Sequence, residues 1–314
     1  MMRSMLAAAV VILSAVLAPT GQAATPVEAR LTLPYDHVLP GIPFDIVVTY
    51  TNVSDRPVTI SGAEATLVVT FPGGETKVMH NPDPEAHDQW TLQSLLPSRL
   101  QPGQSMQQAA SWDHGIPSWF IYPSFSGPGA YGIALELRVG DEFFDPICAV
   151  RTPTVAITVM EPVGIDAEIW KRMQTISDGK WSDISFQATK PGMALADEIR
   201  QFHPESGYYP YVLALRALHR GDRNSIPALL EAADRFETSP AYPYLLKAAA
   251  DSGRYEAWTA ERRGDETEAV KYFKFAQSYY RDALATKSIA VRAEAELGLR
   301  HTVEGLDRMA KKAR

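Results

Sequence analysis

The sequence predicts a two-part β + α protein, an antiparallel β-sandwich followed by an array of α-helical hairpin repeats. Three observations carry this. Up to about residue 160 the apolar runs are short, rich in β-branched and aromatic residues, and punctuated by Pro and Gly. From Ile165 onward apolar residues recur every three or four positions. Within that second part, Phe202 to Ala214 is echoed by Phe236 to Lys247. Tyr209-Pro210-Tyr211 matches Tyr242-Pro243-Tyr244 at an offset of 33 residues, Ser206 matches Ser239 likewise, and Phe202 aligns with Phe236 at 34. A period in the low thirties is the signature of stacked helical hairpins.

Residues 1–24 are expected to lie outside the fold. Arg3 precedes an apolar run from Met5 to Leu17, and Gly21-Gln22-Ala23 gives a small-x-small cleavage pattern. This predicts a secretory signal peptide, its core shorter than the ~20 residues of a spanning helix, with an uncleaved anchor as the alternative. No later stretch is apolar enough to cross a bilayer, so the mature chain is expected to be exported, periplasmic or secreted. The formal charge is −7. That excess of acid, slightly larger once Arg3 is removed, argues against nucleic acid or an anionic membrane surface as the main partner.

Residues 25–160 are assigned to the sandwich. Strands are expected at Phe44–Thr51, Ala65–Phe71, Tyr131–Val139 and Thr154–Val159, with a turn at Pro72-Gly73-Gly74 and a hairpin at Gly140-Asp141. Cys148 is the single cysteine and sits in an apolar run, so it reads as a small buried hydrophobe rather than a disulfide partner or reactive thiol. The long interruption His80 to Trp90 holds His80, Asp83, Glu85, His87 and Asp88, with Asp113 and His114 as further donors. Imidazole and carboxylate together can hold a divalent metal, but these histidines lie on no regular element, and a polar surface loop is the plainer reading. Trp112, Trp119, Phe120, Tyr122 and Phe125 form an aromatic group that serves either as a binding platform or as packing.

The turn Asn52-Val-Ser-Asp-Arg-Pro57, the loop Leu100-Gln-Pro-Gly-Gln-Ser105 and the entry Gly127-Pro-Gly-Ala-Tyr131 resemble an immunoglobulin-like fold, with Tyr131 placed like its corner tyrosine. They are also similar to exported immunoglobulin-like modules of the intracellular proteinase-inhibitor type. That resemblance implies a binding or spacer role, or inhibition of a protease through a sandwich loop.

A linker at 161–165 leads to the helical part, 166–314. Ile165, Ile169, Met173 and Ile176 share one helix face, and Pro191 opens a second helix carrying Met193, Leu195, Ala196, Ile199 and Phe202. Ser206 is expected to cap a helix from Gly207 to about His219. Ser225 starts its partner, with Ile226, Leu229, Leu230, Ala233 and Phe236 in one stripe. Ser239-Pro240 opens a long helix, about 241 to 263, with a break possible at Ser252-Gly253. Asp265 and Glu268 give a capping box for the next. A final helix, about 288 to 312, is expected to bury Ile289, Ala293, Leu297, Leu306 and Met309.

Gly264-Asp-x3-Ala269-x3-Phe273-x2-Ala276 resembles the second half of a tetratricopeptide repeat, and Leu213 to Ala233 fits the same template. The match departs from a regular array: the two Gly-Asp pairs, at 221 and 264, are 43 residues apart. The resemblance implies a short, irregular hairpin stack whose first helices line a concave, peptide-binding face. Tyr208, Tyr209 and Tyr242 are the candidate partner contacts there, with Arg216 and Lys247 as polar additions, and Arg254 a further one. Tyr211 and Tyr244, in phase with the apolar stripe, read as packing.

No catalytic motif stands out. Ser177-Asp-Gly-Lys180 has a Ser-x-x-Lys spacing but a glycine at a helix end and no companion motif. The expectation is an exported, non-enzymatic protein-interaction protein with no cofactor, binding a protein or peptide. A protease inhibitor and a metal-dependent hydrolase built on the 80–88 loop are the alternatives.

Overall fold

The structure, a computed structural model, describes residues 25–42, 45–79, 90–110, 127–141, 145–176, 190–220 and 223–312. The expected signal peptide, the His80–Asp88 donors, the 112–125 aromatics and Ser177-Lys180 lie outside the described residues.

The described strands of the N-terminal half form two sheets. One is antiparallel in the order β1 (Val27–Thr32), β3 (Ile46–Asn52), β7 (Ser105–Ala110). The other runs β2 (His37–Val38), β10 (Val155–Val159), β8 (Gly129–Gly140), β4 (Val58–Thr70), β5 (Thr76–Met79). β6 (Trp90–Leu100) also pairs with β4, and β9 (Pro146–Arg151) with β8. All these pairs are antiparallel except β2 with β10. Alternate residues of both sheets face one apolar core: Val27, Ala29 and Leu31, then Ile46, Val48 and Tyr50, meet Leu67, Val69, Ile133, Leu135, Leu137 and Ile157.

The turns follow the local chemistry. Phe71 and Gly74 close the Pro72-Gly73-Gly74 hairpin, Gly74 N–H donating to the Phe71 carbonyl at 2.8 Å. Asn52 is fully buried, and its amide donates to the carbonyls of Arg56 and Leu100, which fixes the turn after β3. Tyr131 Oη donates back to the Gly127 carbonyl at 2.8 Å. The hairpin after Gly140 is longer than a two-residue turn, with Asp141 N–H donating to the Asp145 carbonyl. Cys148 is half-buried against the sheet core, and burial pushes its thiol up.

The C-terminal half is helical: α1 (Ile165–Ile176), α2 (Lys190–Phe202), α3 (Tyr209–Arg220), α4 (Ile226–Arg235), α5 (Tyr242–Arg263), α6 (Glu266–Leu284) and α7 (Ile289–Lys312). Each helix packs on the next in chain order, and α5 also packs on α3 and on α7. No described helix is long and apolar enough to cross a membrane.

Three expectations about these helices are corrected. α5 runs unbroken through Ser252-Gly253, because Gly253 is where the Phe275 ring of α6 presses onto the α5 backbone. The buried stripe of α7 is Val291, Ala295, Gly298, Thr302, Gly305 and Met309, whereas Ala293 and Leu297 are exposed. Small residues carry that stripe because the Tyr280 and Phe273 rings of α6 fill the space over Gly298 and Gly305. Phe202 is 61% exposed, so it is no counterpart of Phe236, which packs on Tyr209 with ring centroids 6.3 Å apart.

The halves share a boundary. Ile42 belongs to the helical core beside Ile169 and Met173, Leu39 packs against that core, and α7 touches β7.

Candidate functional site

The echoed stretch forms the same turn twice. In the first copy, Ser206 N–H donates to the His203 carbonyl, Ser206 Oγ accepts from Tyr208 N–H, and Tyr209 N–H donates to the Ser206 carbonyl. In the second, Ser239 N–H donates to the Phe236 carbonyl, Ser239 Oγ accepts from Ala241 N–H, and Tyr242 N–H donates to the Ser239 carbonyl. Every partner is displaced by 33 residues, which sets His203, not Phe202, against Phe236. The serine hydroxyl satisfies an N–H ahead of the first helical turn, and Pro at the second helical position needs no partner there. In the first copy Asp166 of α1 completes the cap, accepting from Ser206 Oγ at 2.6 Å and from Gly207 N–H at 3.1 Å.

The tyrosines of these turns do not form an open face. Tyr208 is buried and donates to the Pro40 carbonyl of the strand half at 2.9 Å. Tyr211 is buried against Ser239 and Ala241 of the next turn, and burial drives its phenol far up. Tyr244 Oη donates to Asp45 Oδ1. Tyr209 is buried against Phe236. Tyr242 alone of the three candidates is half-buried, its phenol raised first by burial and then by Glu237, Asp282 and Asp234. Arg216 belongs to α3 by its backbone, and its side chain lies outside the described residues. Lys247 is 5% exposed, held by Asp251 at 3.1 Å and Glu294 at 2.7 Å, so it is a structural ion pair rather than a surface contact.

Lys247 opens a feature that the sequence did not suggest. Lys247 meets Glu294, Arg254 meets His301 (Nη1 to Nδ1, 3.3 Å), and Glu261 meets Arg308 at 3.2 Å. Each pair is 47 residues apart and successive rungs are seven apart, so α5 and α7 run parallel in a fixed register. Heptad spacing keeps such a seam on one face of both helices. α6 runs antiparallel to α7, because Tyr280 lies over Gly298 and Phe273 over Gly305. Between the rungs, Asp251 accepts from Tyr280 Oη at 2.5 Å and from Arg254 at 3.1 Å. Arg254 also stacks over Trp258, 4.9 Å from the ring centre. Beside this ladder stand two large exposed side chains, Tyr255 at 51% and Leu297 at 47%. The α5–α7 face is therefore amphipathic, with paired charges, a half-buried Trp and exposed apolar area. The sequence does carry two local traces of it, Lys247 and Asp251 one helical turn apart and the seven-residue spacing of Lys247, Arg254 and Glu261.

An open hollow at the C-terminal end of α2 is lined by Ala194, Asp197, Glu198, Gln201, Phe202 and His203. Glu198 is occupied by Arg172 of α1, whose Nη2 lies 2.8 Å away, and this contact holds the Glu198 carboxyl below its usual range. Among the described residues no group of three or more His, Cys, Asp and Glu side chains gathers to hold a metal ion.

No protein-family model matches the chain, and no curated protein matches it. Among solved structures it is similar to the sporulation control protein Spo0M from Bacillus subtilis, with a TM-score of 0.29 and 13% identity over 48% of this chain and 56% of that one. It is also similar to β-glucosidase 3B from Thermotoga neapolitana, with a TM-score of 0.24 and 16% identity over 43% of this chain and 16% of the enzyme. AvmM, which catalyses macrocyclization in alchivemycin A biosynthesis, gives a TM-score of 0.25 and 12% identity over 45% and 92%. The chain thus spans about half of Spo0M and a small part of the glucosidase. Likenesses this distant assign neither a family nor an activity: the chain is a mixed protein of N-terminal sheets and C-terminal helices.

Proposed function

We propose that the chain is an exported, non-enzymatic adaptor that binds a protein or peptide partner on the α5–α7 face. In this reading the strand half is an immunoglobulin-like sandwich, supported by the backward bond from Tyr131 to Gly127, and residues 25–160 form that domain. The helical half is a tetratricopeptide-like stack, supported by the twice-used Ser206 and Ser239 turns. The observation that carries the functional reading is the parallel register of α5 and α7 with α6 antiparallel behind them. Two first helices then lie side by side and present one continuous face. Tyr255 and Leu297 supply the exposed anchors, and Arg254, Trp258 and His301 the polar surround.

The test is affinity capture from an envelope extract with the wild type and three variants. Tyr255→Ala and Leu297→Asp should each lose the captured partner by tenfold or more. Lys77→Ala, on the exposed β5 strand, should retain it. Retention of every partner by both α5–α7 variants would remove this face from the proposal. N-terminal sequencing of the exported protein, expected to begin near Ala24 or Thr25, tests export.

A further inference from the structure

The starts of α3, α5 and α7 all touch one short piece of the strand half. Tyr208, just before α3, donates to the Pro40 carbonyl at 2.9 Å. Tyr244, in the first turn of α5, donates to Asp45 Oδ1. Ser288, which caps α7 by accepting from Val291 N–H, donates to Asp45 Oδ2 at 2.5 Å. Asp45 is 2% exposed. Apolar contacts surround these bonds: Ile42 lies among Ile169 and Met173, Gly41 lies flat under the Trp170 ring, and Leu39 lies over Gly207. A Cβ at either glycine would collide with its neighbour, so both positions are shaped by the contact. Tyr35 belongs to the same neighbourhood, and burial with the charge of Asp45 pushes its phenol up to about 12.

Two things follow. A carboxylate this deep needs hydrogen-bond donors, and two of its donors are hydroxyls at the starts of two helices of the other half. Pulling the halves apart therefore breaks two charge-assisted hydrogen bonds together with the apolar seam. Moreover, the helix-start tyrosines, which a hairpin stack would offer to a peptide, are covered by the chain itself. We propose that residues 39–42 and Asp45 form a self-docked latch. It occupies the face made by the starts of α3, α5 and α7, holds the two halves as one cooperative body, and closes that face to outside partners.

The experiment uses the full chain in a Cys148→Ser background, spin-labelled at Lys77→Cys and Lys271→Cys, one exposed site on each half. The wild-type latch should give a single narrow distance distribution. In a urea titration that distance should be lost at the same midpoint as helical circular dichroism. Loss of the distance at lower urea than the helices would overturn the latch. Tyr244→Phe with Ser288→Ala opens it from the helical side, and Leu39→Glu from the strand side. Each should broaden the distance and lower its midpoint. Tyrosine nitration read by mass spectrometry gives a separate measure. Tyr208 should be protected in the wild type and modified several-fold faster in Leu39→Glu, while the exposed Tyr255 reacts equally in both. Unchanged protection together with an unchanged distance in both variants would sink the proposal. Loss of partner capture by Tyr255→Ala bears on the α5–α7 face alone, so the two readings fail separately.

Discussion

Asp45 is bonded by residues 199 and 243 positions away in the chain. In sequence it stands at the edge of an apolar strand run, where a charge reads as a solvated flank. Nothing local announces that its partners are a tyrosine and a serine at two distant helix starts, and so this residue was not legible. Removing one donor should be measurable. Tyr244→Phe leaves the ring in its packing and takes away a hydrogen bond to a buried carboxylate, and it is expected to cost about 1.5–3 kcal/mol in urea unfolding. Glu261 gives a pH prediction of defined sign. Hydrogen bonds from Arg308 hold its carboxyl below the ordinary glutamate value of 4.5, with a smaller contribution from Lys312. A depressed folded-state pKa stabilises the fold above the unfolded value, and that contribution is lost as pH falls through the lower, folded one. Glu261→Gln should therefore be less stable than wild type at pH 7. The difference should disappear in acid, below the ordinary glutamate range, in melting curves recorded from pH 7 to pH 2.

Element by element, the sequence was most readable where large apolar residues set the period. The face of Ile165, Ile169, Met173 and Ile176 does lie on one helix, and Ala269, Phe273 and Ala276 of α6 are all buried. Asp265 caps α6 by accepting from Glu268 N–H at 2.9 Å, and the Glu268 carboxylate accepts from Arg263. Gly264, at φ 77°, ends α5 in the left-handed conformation that glycine adopts without a Cβ penalty. The inner stripe of α7 is hidden from a periodicity count because it is small. Gly298 and Gly305 have no side chain for such a count to find, and the eye settles on Leu297, which faces outward. The packing argument makes its own prediction. Gly305→Ala would drive a methyl into the Phe273 ring and should cost about 1–3 kcal/mol, although alanine is the better helix former. Pairing it with Phe273→Leu, which vacates that space, should make the double variant more stable than the sum of the single changes predicts. Calorimetry on the four proteins decides this, and simple additivity would mean that the two residues do not touch.

At the scale of the whole molecule, the division into strands then helices was legible from composition and period, but the coupling between them was not. The first sheet joins β1, β3 and β7 across most of the strand half, and loop-spanning pairings of that kind leave no local trace. The same limit hid the contact of Leu39, Ile42 and Asp45 with the helices. The tyrosine echo is plain in the sequence, but its tyrosines serve the fold. Tyr208 and Tyr244 face the chain's own strand half, not an outside ligand. With the halves joined in this way, thermal unfolding of the full chain is expected as one transition. Two resolved transitions in a calorimetric scan would show the halves melting independently.

α5 is held at its first turn by Tyr244 and reaches its last ion pair with α7 at Glu261, seventeen residues on. At ~1.5 Å of rise per residue the span is about 26 Å, so a tilt of ~10° about the Tyr244 end would swing Glu261 through about 4.5 Å. The ladder ties α7 directly to α5, and α6 packs on both, so a tilt of one helix would carry the other two. The helical half meets the strand half at Asp45 with Pro40, Leu39 and Ile42 around it, so a rotation too small to notice at that seam would be plain at the far tip of α5.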